Sequence, residues 1–235
     1  MGELSELVKV TKMKLLEKIF ETLFVRKPFY RLFQYLYVAS LKGMGYLNYR
    51  DMHSSGEDYV LAIISKKINP LILDVGAADN AEFLQKVYKH YPQAEVYEFE
   101  PNPLSYRDLV TKNKNKQVHI FQLGLGEKKG KVKLYDYDQS KSTQHASIYK
   151  DNIIESHKAN TKSHIIDIQT LDNFIKESKI KNEIDFLKID TEGSEIAVLK
   201  GAINLLTKRR IKHIQFEFNE MNVYSRVFIR DFLEL

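Results

Sequence analysis

The chain has 235 residues, the size of one domain with a short extension, and its 43% apolar residues suffice for a buried core. It contains no cysteine, which excludes disulfides, thiolate metal sites and cysteine nucleophiles. Residues 1–50 hold nine Lys or Arg and four Asp or Glu, which accounts for the whole net charge of +5. A neutral body argues against a nucleic-acid partner and favours a small-molecule or glycan substrate.

Two basic, amphipathic helices are predicted first, in an extension covering residues 1–57. Apolar residues recur every three or four positions from Leu4 to Phe24, Pro28 stops or kinks that helix, and an aromatic-rich helix follows from Phe29 to Leu41. Their apolar faces either pack on the body or on a second copy in a homodimer, or residues 1–42 attach peripherally to an anionic membrane. We expect a cytoplasmic protein without a membrane-spanning segment, with peripheral membrane contact as the alternative.

From residue 58 onward, strands alternate with helices. The β-branched and aromatic runs predict strands at Leu71–Val75, Glu95–Phe99, Val118–Leu123, Lys131–Tyr137, His164–Ile168, Phe186–Asp190 and His213–Phe218. Helices are predicted at Asp58–Lys67, Ala81–His90, Leu104–Lys112, Leu171–Lys176, Glu195–Leu206 and Arg226–Leu233. This alternation is typical of a mostly parallel α/β sheet, whose ligands bind at the carboxyl ends of the strands. The polar segment 138–161 is predicted to be a long loop of the kind that covers sites.

Acidic residues stand at the ends of the first two predicted strands. The motif LILDVGAADN places Asp74 and Gly76 there, and a glycine lets a ligand approach the backbone closely. The motif EVYEFEP ends in Glu100, 26 residues after Asp74, near the spacing of about 20 expected for an acid that binds ribose hydroxyls. The alternative is that Glu100 caps the helix that follows.

Further carboxylates follow the last two strands. Asp190 and Glu192 lie in IDFLKIDTEGSEIAVLKGA, and if the chain stays extended through Thr191, both face one cleft. Glu217 ends the last strand, and crowded like charges raise a pKa toward neutral pH, so these three acids are candidate bases. His145 in the polar loop is a fourth candidate. The alternative for the acids is stabilisation of a helix N-terminus, and no spacing requires a metal, so none is predicted.

The motifs LILDVGAADN, YEFEPNPLSYRDL, SIYKDN, QTLDNFI, DFLKIDTEGSEIAVLKGA and FEFNE together resemble the FkbM-type methyltransferases from about Gly43 to Leu235. The resemblance implies an S-adenosylmethionine-dependent enzyme. It implies a Rossmann-like class I methyltransferase sheet with helices on both faces over residues 58–235, after the helical extension. It also implies cofactor contacts: Asp74, Gly76 and Ala77 at the methionine end, Glu100 at the ribose, Leu123 and Gly124 at the adenine, and Asp190 beside the sulfonium and the acceptor.

Members of this family commonly O-methylate sugars, polysaccharides or other hydroxylated compounds, so the predicted function is O-methylation of a saccharide or glycan hydroxyl. Two alternatives remain open: a catalytically silent adaptor on the same fold, attached through its basic helices, and an RNA or protein methyltransferase. Alanine substitution of Asp74 or Glu100 is expected to abolish cofactor binding without unfolding the body.

Two departures from the family pattern carry expectations of their own. Ala78 and Asn80 stand where an Asn and a Gly are usual, which predicts a stiffer loop and weaker cofactor binding. The chain ends at Leu235 within a predicted helix, whereas a complete fold of this class adds two further strands. We therefore expect either a truncation there or a sheet edge completed by a partner.

Overall fold

The computed structural model describes residues 13–14, 17–44, 57–64, 66–78, 82–113, 115–137, 146–151, 161–219 and 221–235. By its internal contacts the chain divides into two units, residues 1–59 and residues 60–235.

The N-terminal unit contains two helical segments joined at a proline. Residues 17–24 are helical, Lys27–Phe29 form a 3-10 turn, and helix α1 spans Tyr30–Gly43. Pro28 occupies the first turn of the 3-10 segment, where its missing N–H leaves no bond unmade, so the predicted break is confirmed. The ring of Phe20 lies 5.4 Å from that of Phe33, so aromatic contact joins the two helices. Within the described ranges, no helix is long and apolar enough to cross a membrane.

The second unit is built on a five-stranded parallel sheet. Its strands are β1 (Leu71–Val75), β2 (Glu95–Phe99), β3 (Val118–Phe121), β7 (Ile184–Ile189) and β8 (Ile211–Phe216), in the order β3-β2-β1-β7-β8. A smaller sheet has the order β4-β6-β5, from β4 (Gly124–Leu125), β5 (Gly130–Tyr137) and β6 (Thr161–Gln169). Helix α2 (Glu57–Ile63) includes the division between residues 59 and 60. The helices that lie wholly in the second unit are α3 (Glu82–His90), α4 (Pro103–Lys112), α5 (Leu171–Glu177), α6 (Glu195–Lys200), α7 (Ile203–Thr207), α8 (Met221–Ser225) and α9 (Ile229–Leu233).

The core lies around the two central strands. Every residue of β1 and β7 is buried, as expected for parallel strands covered on both faces, and their sequences LILDV and IDFLKI are nearly continuous apolar runs. Phe174 of α5 packs edge-on against Phe99 and Phe121, with ring centroids 4.7 and 4.9 Å away, which fixes this helix on the sheet. The predicted α/β class with a central parallel sheet is confirmed.

The predicted strands at 131–137 and 164–168 form outside the parallel sheet. β5 and β6 pair antiparallel, from Gly130 opposite Ile168 to Tyr137 opposite Thr161, and β6 also pairs parallel with β4. The other predicted strands are present, with ends displaced by up to two residues, and β7 ends before Asp190.

Two predicted helices are interrupted. The helix expected from Glu195 to Leu206 is divided into α6 and α7 at Gly201, whose Cα lies so close to Gly126 that a Cβ would stand 2.1 Å from its carbonyl oxygen. The helix expected from Arg226 begins only at Ile229, because Arg226 itself ends α8 with a φ of 56°.

Candidate active site

The residues that follow the parallel strands are held at one edge of the sheet. The Gly76 N–H donates to the Phe99 carbonyl at 2.9 Å, and the Asp190 N–H donates to the Val75 carbonyl at 2.8 Å. The Glu217 N–H donates to the last carbonyl of β7 at 3.0 Å. Sheet hydrogen bonding therefore continues past the strands and fixes the backbone at the edge where α/β proteins bind ligands.

A cavity with about 960 Å³ of empty space, part of it open to solvent, lies at this edge. Six predicted site residues line it: Gly76, Glu100, Leu123, Gly124, Asp190 and Glu192. Apolar side chains of the small sheet and of the segment 146–149, which precedes β6, complete much of the lining: Val132, Leu134, Ala146, Ile148, Ile166 and Ile168. A mostly apolar cavity with a few acidic groups suits a small organic ligand.

The remaining predicted site residues lie elsewhere. Asp74 is buried beneath the cavity edge, and Ala77 is buried with its N–H donating to the Phe99 carbonyl at 3.3 Å; neither lines the cavity. Glu217 is not in the lining, but its carboxyl group forms a hydrogen bond with that of Asp190. His145 lies outside the described residues, as does Asn80 of the first loop.

The carboxylate of Glu100 is fixed by the backbone. Its Oε2 accepts the Ala78 N–H and its Oε1 accepts the Asn102 N–H, both at 2.7 Å. Burial raises the pKa of Glu100 to about 7, these two N–H groups oppose the rise, and the nearby charges of Asp74 and Asp136 add to it. The result is a buried acid with a set orientation at the cavity wall.

The helix after β2 is capped by another residue. Asn102 is the N-cap of α4, and its Oδ1 accepts the Leu104 N–H at 3.0 Å. The alternative that Glu100 caps this helix is therefore wrong, and Glu100 instead orients the loop that leads to the cap.

Three charged side chains form a row across the sheet beside the cavity. Glu98 of β2, Asp74 of β1 and Lys188 of β7 are register partners. The Lys188 Nζ lies 3.3 Å from Asp74 Oδ1 and 3.2 Å from Asp190 Oδ2, and its residue is 8% exposed. The sequence prediction missed Lys188, although a single lysine inside the apolar run FLKI is a visible signal. Lys188 therefore connects the buried row to a cavity residue.

The row makes stability depend on pH through Glu98. Burial raises the pKa of Glu98 to about 9, with the Asp74 charge adding and Lys188 opposing, so the folded chain keeps a proton that the unfolded chain loses near 4.5. The contribution of the Glu98 proton to the free energy of unfolding is fully present below about pH 4.5 and is lost as the pH rises toward 9. Glutamine at position 98 is neutral at every pH. We therefore expect the Tm of Glu98→Gln to fall less than the wild-type Tm as the pH rises from about 6 to 9 in thermal melts.

The exposed Glu177→Gln is the matched control and is expected to keep the wild-type dependence on pH. A Glu98→Gln melting profile that follows the wild type at every pH would contradict the protonated state.

The chain turns directly after β7. Glu192 has a φ of 53° and Gly193 a φ of 106°, so the backbone turns at Glu192, after Thr191. Asp190 and Glu192, on either side of Thr191, both line the cavity.

One acid, Glu195, organises this turn. Its Oε1 accepts the N–H groups of Thr191 and Gly193, each at 3.0 Å, and its Oε2 accepts Nδ2 of Asn222 at 3.0 Å. Glu195 begins α6 and is 1% exposed. Stabilisation of a helix start by an acid is therefore the role of Glu195, whereas Glu192 is turned to the cavity.

Left-handed backbone conformations mark the cavity. Of the five non-glycine residues with positive φ among those the structure describes, Lys179, Arg209 and Arg226 end helices, a common place for that conformation. Ala78 and Glu192 instead follow β1 and β7 and line the cavity. Such strain away from helix ends is typical of functional sites.

Glu217 and the cavity carboxylates Asp190 and Glu192 perturb one another. Partial burial of the Glu217 carboxyl raises its pKa to about 8, and the charges of Asp190 and Glu192 and the hydrogen bond with Asp190 add to the rise. A hydrogen bond with Asn219 opposes it. Within the described part of the chain, no group of three His, Cys, Asp or Glu is arranged to hold a metal ion.

A polar atom in the cavity lining is left without a partner. The Ser194 side chain lines the cavity, its residue is 8% exposed, and its Oγ forms no hydrogen bond to the described residues. Close by, Ser147 donates its Oγ to the Glu192 carbonyl at 2.8 Å and so ties the segment 146–149 to the turn. Because buried hydroxyl groups are normally bonded, Ser194 Oγ is available to a ligand.

The strand order and the cavity at the carboxyl edge define an α/β protein with an open parallel sheet, a class whose ligands bind at that edge. Residues 74–235 match the family model described as the Methyltransferase FkbM domain, which is more than half of the chain. The chain belongs to this methyltransferase family, and its five-stranded sheet is consistent with a Rossmann-like methyltransferase fold.

Three curated relatives are similar to the chain. Methyltransferase 1 of Beauveria bassiana (strain ARSEF 2860) is 27% identical over 146 residues, 55% of this chain and 57% of that protein. Methyltransferase sdnD of Sordaria araneosa is 26% identical over 168 residues, 61% of this chain and 64% of that protein. The 2-O-methyltransferase NoeI of Sinorhizobium fredii (strain NBRC 101917 / NGR234) is 24% identical over 168 residues, 68% of each chain. The chain thus spans less than two thirds of the first two relatives.

Proposed function

We propose that the protein is an S-adenosylmethionine-dependent O-methyltransferase that acts on a hydroxyl group of a saccharide or glycan. The observation that carries the proposal is a single cavity lined by both the fixed carboxylate of Glu100 and the acids Asp190 and Glu192. Membership of the FkbM methyltransferase family supports methyl transfer, and the name of the relative NoeI, a 2-O-methyltransferase, supports oxygen as the acceptor atom.

The residues present fit this cofactor. The oriented carboxylate of Glu100 can accept hydrogen bonds from a ribose diol, and Leu123 with Leu125 offers apolar surface to an adenine ring. Gly76 has no side chain, so it can pack directly against the Asp190 carbonyl, and both residues line the cavity where the methionine end would lie. When bound, S-adenosylmethionine supplies an electrophilic methyl group.

The acids at the mouth of the site would move the proton of the acceptor hydroxyl. Glu217 has a pKa of about 8, close to working pH, which is the value that makes a carboxylate an effective base. Asp190 is held by the Lys188 ammonium and bonded to Glu217, so it orients this base. A base placed in this way contributes about 10² to 10⁴ in rate.

Loss of cofactor binding is expected for Glu100→Gln. The variant has the same shape but replaces one carboxylate acceptor by an amide donor, which cannot accept both the backbone N–H and the ribose hydroxyls. We expect affinity for S-adenosylmethionine and S-adenosylhomocysteine to fall at least about 30-fold by calorimetric titration, with circular dichroism as the check of folding.

Glu95→Gln is the matched control, because Glu95 lies at the other end of the same strand and is absent from the cavity lining. Unchanged affinity in Glu100→Gln would overturn the ribose assignment. A folded wild-type protein that binds neither compound would instead favour the silent adaptor.

A change in the pH profile is expected for Glu217→Gln. Because the base acts when deprotonated, wild-type kcat/KM is expected to rise with pH through about 8, and the variant is expected to lose this rise together with about 10²-fold in rate. Methylation of saccharide acceptors would be followed by radiolabelled methyl transfer.

Glu183→Gln, an exposed acid at the opposite end of β7, is the control and is expected to keep the wild-type profile. An unchanged profile in Glu217→Gln would move the role of base to Glu192 or to His145. Methyl transfer to RNA or peptide but to no saccharide would replace the proposed acceptor class.

A further inference from the structure

The N-terminal helical pair, residues 17–24 and α1, exposes an unusual amount of apolar surface. Among residues 13–14 and 17–44, none is buried. Large apolar side chains at least 40% exposed occur throughout the pair: Ile19, Phe20, Leu23, Phe24, Tyr30, Leu32, Tyr35, Leu36 and Tyr37. Contiguous exposed apolar surface of this kind marks an interaction site.

The two sides of α1 differ. Phe33 and Leu41 are half-buried, and Phe33 contacts Phe20 of the first helix, so this side holds the pair together. Leu32 and Leu36 lie four residues apart on another side and are 51% and 46% exposed. Helical spacing places Arg31, Tyr35 and Lys42 along one border of that side. The exposed side therefore combines aliphatic, aromatic and cationic groups.

The positive charge of this segment indicates which kind of partner binds the exposed surface. Between Thr22 and Arg50 the sequence has no Asp or Glu and five Lys or Arg. A second copy would bring the same positive charge, and the rest of the chain beyond residue 50 is neutral. An anionic lipid surface is complementary to both the cations and the apolar side chains, since headgroups pair with Lys and Arg while Leu and aromatic rings enter the acyl boundary.

We propose that the N-terminal helical pair docks on an anionic lipid surface, with Leu32 and Leu36 at the acyl boundary and Arg31 and Lys42 at the headgroups. The pair lies on the surface and does not span the bilayer. The proposal is independent of the methyl-transfer reaction, because it uses no residue of the cavity.

The test is co-sedimentation of the full chain with vesicles of phosphatidylcholine alone and of phosphatidylcholine with 30% phosphatidylglycerol. We expect at least tenfold tighter binding to the anionic vesicles, weakened by added salt. Arg31→Glu/Lys42→Glu is expected to reduce that binding at least tenfold. Lys176→Glu/Lys181→Glu, exposed body cations with the same change of net charge, is expected to stay within twofold of the wild type.

A second variant separates the apolar contribution. Leu32→Ser/Leu36→Ser is expected to lose binding while keeping its net charge, with circular dichroism confirming the helix content. Equal binding to both vesicles, binding to neither, or equal losses in both charge-reversal variants would overturn the proposal. A concentration-dependent dimer without vesicle binding would overturn it in favour of a second copy.

Discussion

Replacing Gly76 by Ala is expected to destabilise the second unit by about 3 kcal/mol. Gly76 has a φ of 88°, and a Cβ there would stand 1.7 Å from the carbonyl oxygen of Asp190. A left-handed alanine costs about 1–2 kcal/mol, and forcing apart packed backbone costs about 1–3 more. Relief requires separating the ends of β1 and β7, so cofactor affinity is expected to fall as well.

Thermal melts measure the loss of stability, which corresponds to about 6–12 °C in Tm for a chain of this size. Gly130→Ala is the matched control, because a Cβ at Gly130 meets no atom within 4 Å, and its Tm is expected to stay within about 2 °C of the wild type. A wild-type Tm in Gly76→Ala would show that the ends of the strands separate easily.

Lys188→Met is expected to lower the free energy of unfolding by about 3–5 kcal/mol at neutral pH. Lys188 is the cation paired with the buried Asp74 and with Asp190, and methionine would fill its volume without its charge. The loss follows from leaving a buried carboxylate without its counter-charge rather than from lost packing. Urea unfolding at pH 7 measures it.

Lys131→Met removes an exposed ion pair with Asp167, whose side chains are 68% and 64% exposed, and is expected to cost less than about 1 kcal/mol. Adding Asp74→Asn to Lys188→Met is expected to recover part of the loss, because the orphaned charge is then gone. Additive losses in the double variant would refute the electrostatic cause. For the same reason Asp74→Ala is now expected to affect stability as well as cofactor binding.

The sequence predicted the elements whose signals are local. β1 and β2 have the predicted bounds because each is a short run of mostly aliphatic, β-branched or aromatic residues with a glycine or a proline within two positions of its end, and the break at Pro28 follows from one residue. The pairing of β5 with β6 was not predictable in this way. Whether a strand joins the parallel sheet or a neighbouring hairpin depends on its partner, which is more than 20 residues away in sequence.

In the candidate site too, residues with a local sequence signal were predicted, and those that depend on distant parts of the chain were not. Glu100, Asp190 and Glu192 could be found because acids at the ends of parallel strands collect at one edge. The row that joins Glu98 to Lys188 depends on the register of three strands, which no single segment encodes. The turn at Glu192 likewise depends on a distant residue. Asn222 donates a hydrogen bond to Glu195, which organises the turn, from 27 residues further along the chain.

The two residues with positive φ at the cavity, Ala78 and Glu192, are expected to respond differently when variants are selected for higher stability. A selection for heat resistance alone would favour glycine at both, since glycine adopts a positive φ without penalty. At position 78 the change keeps the backbone N–H that Glu100 accepts, so stability is expected to increase without loss of the Glu100 orientation. At position 192 the change to glycine removes a carboxylate from the cavity, so there the more stable variant is expected to be a poorer catalyst.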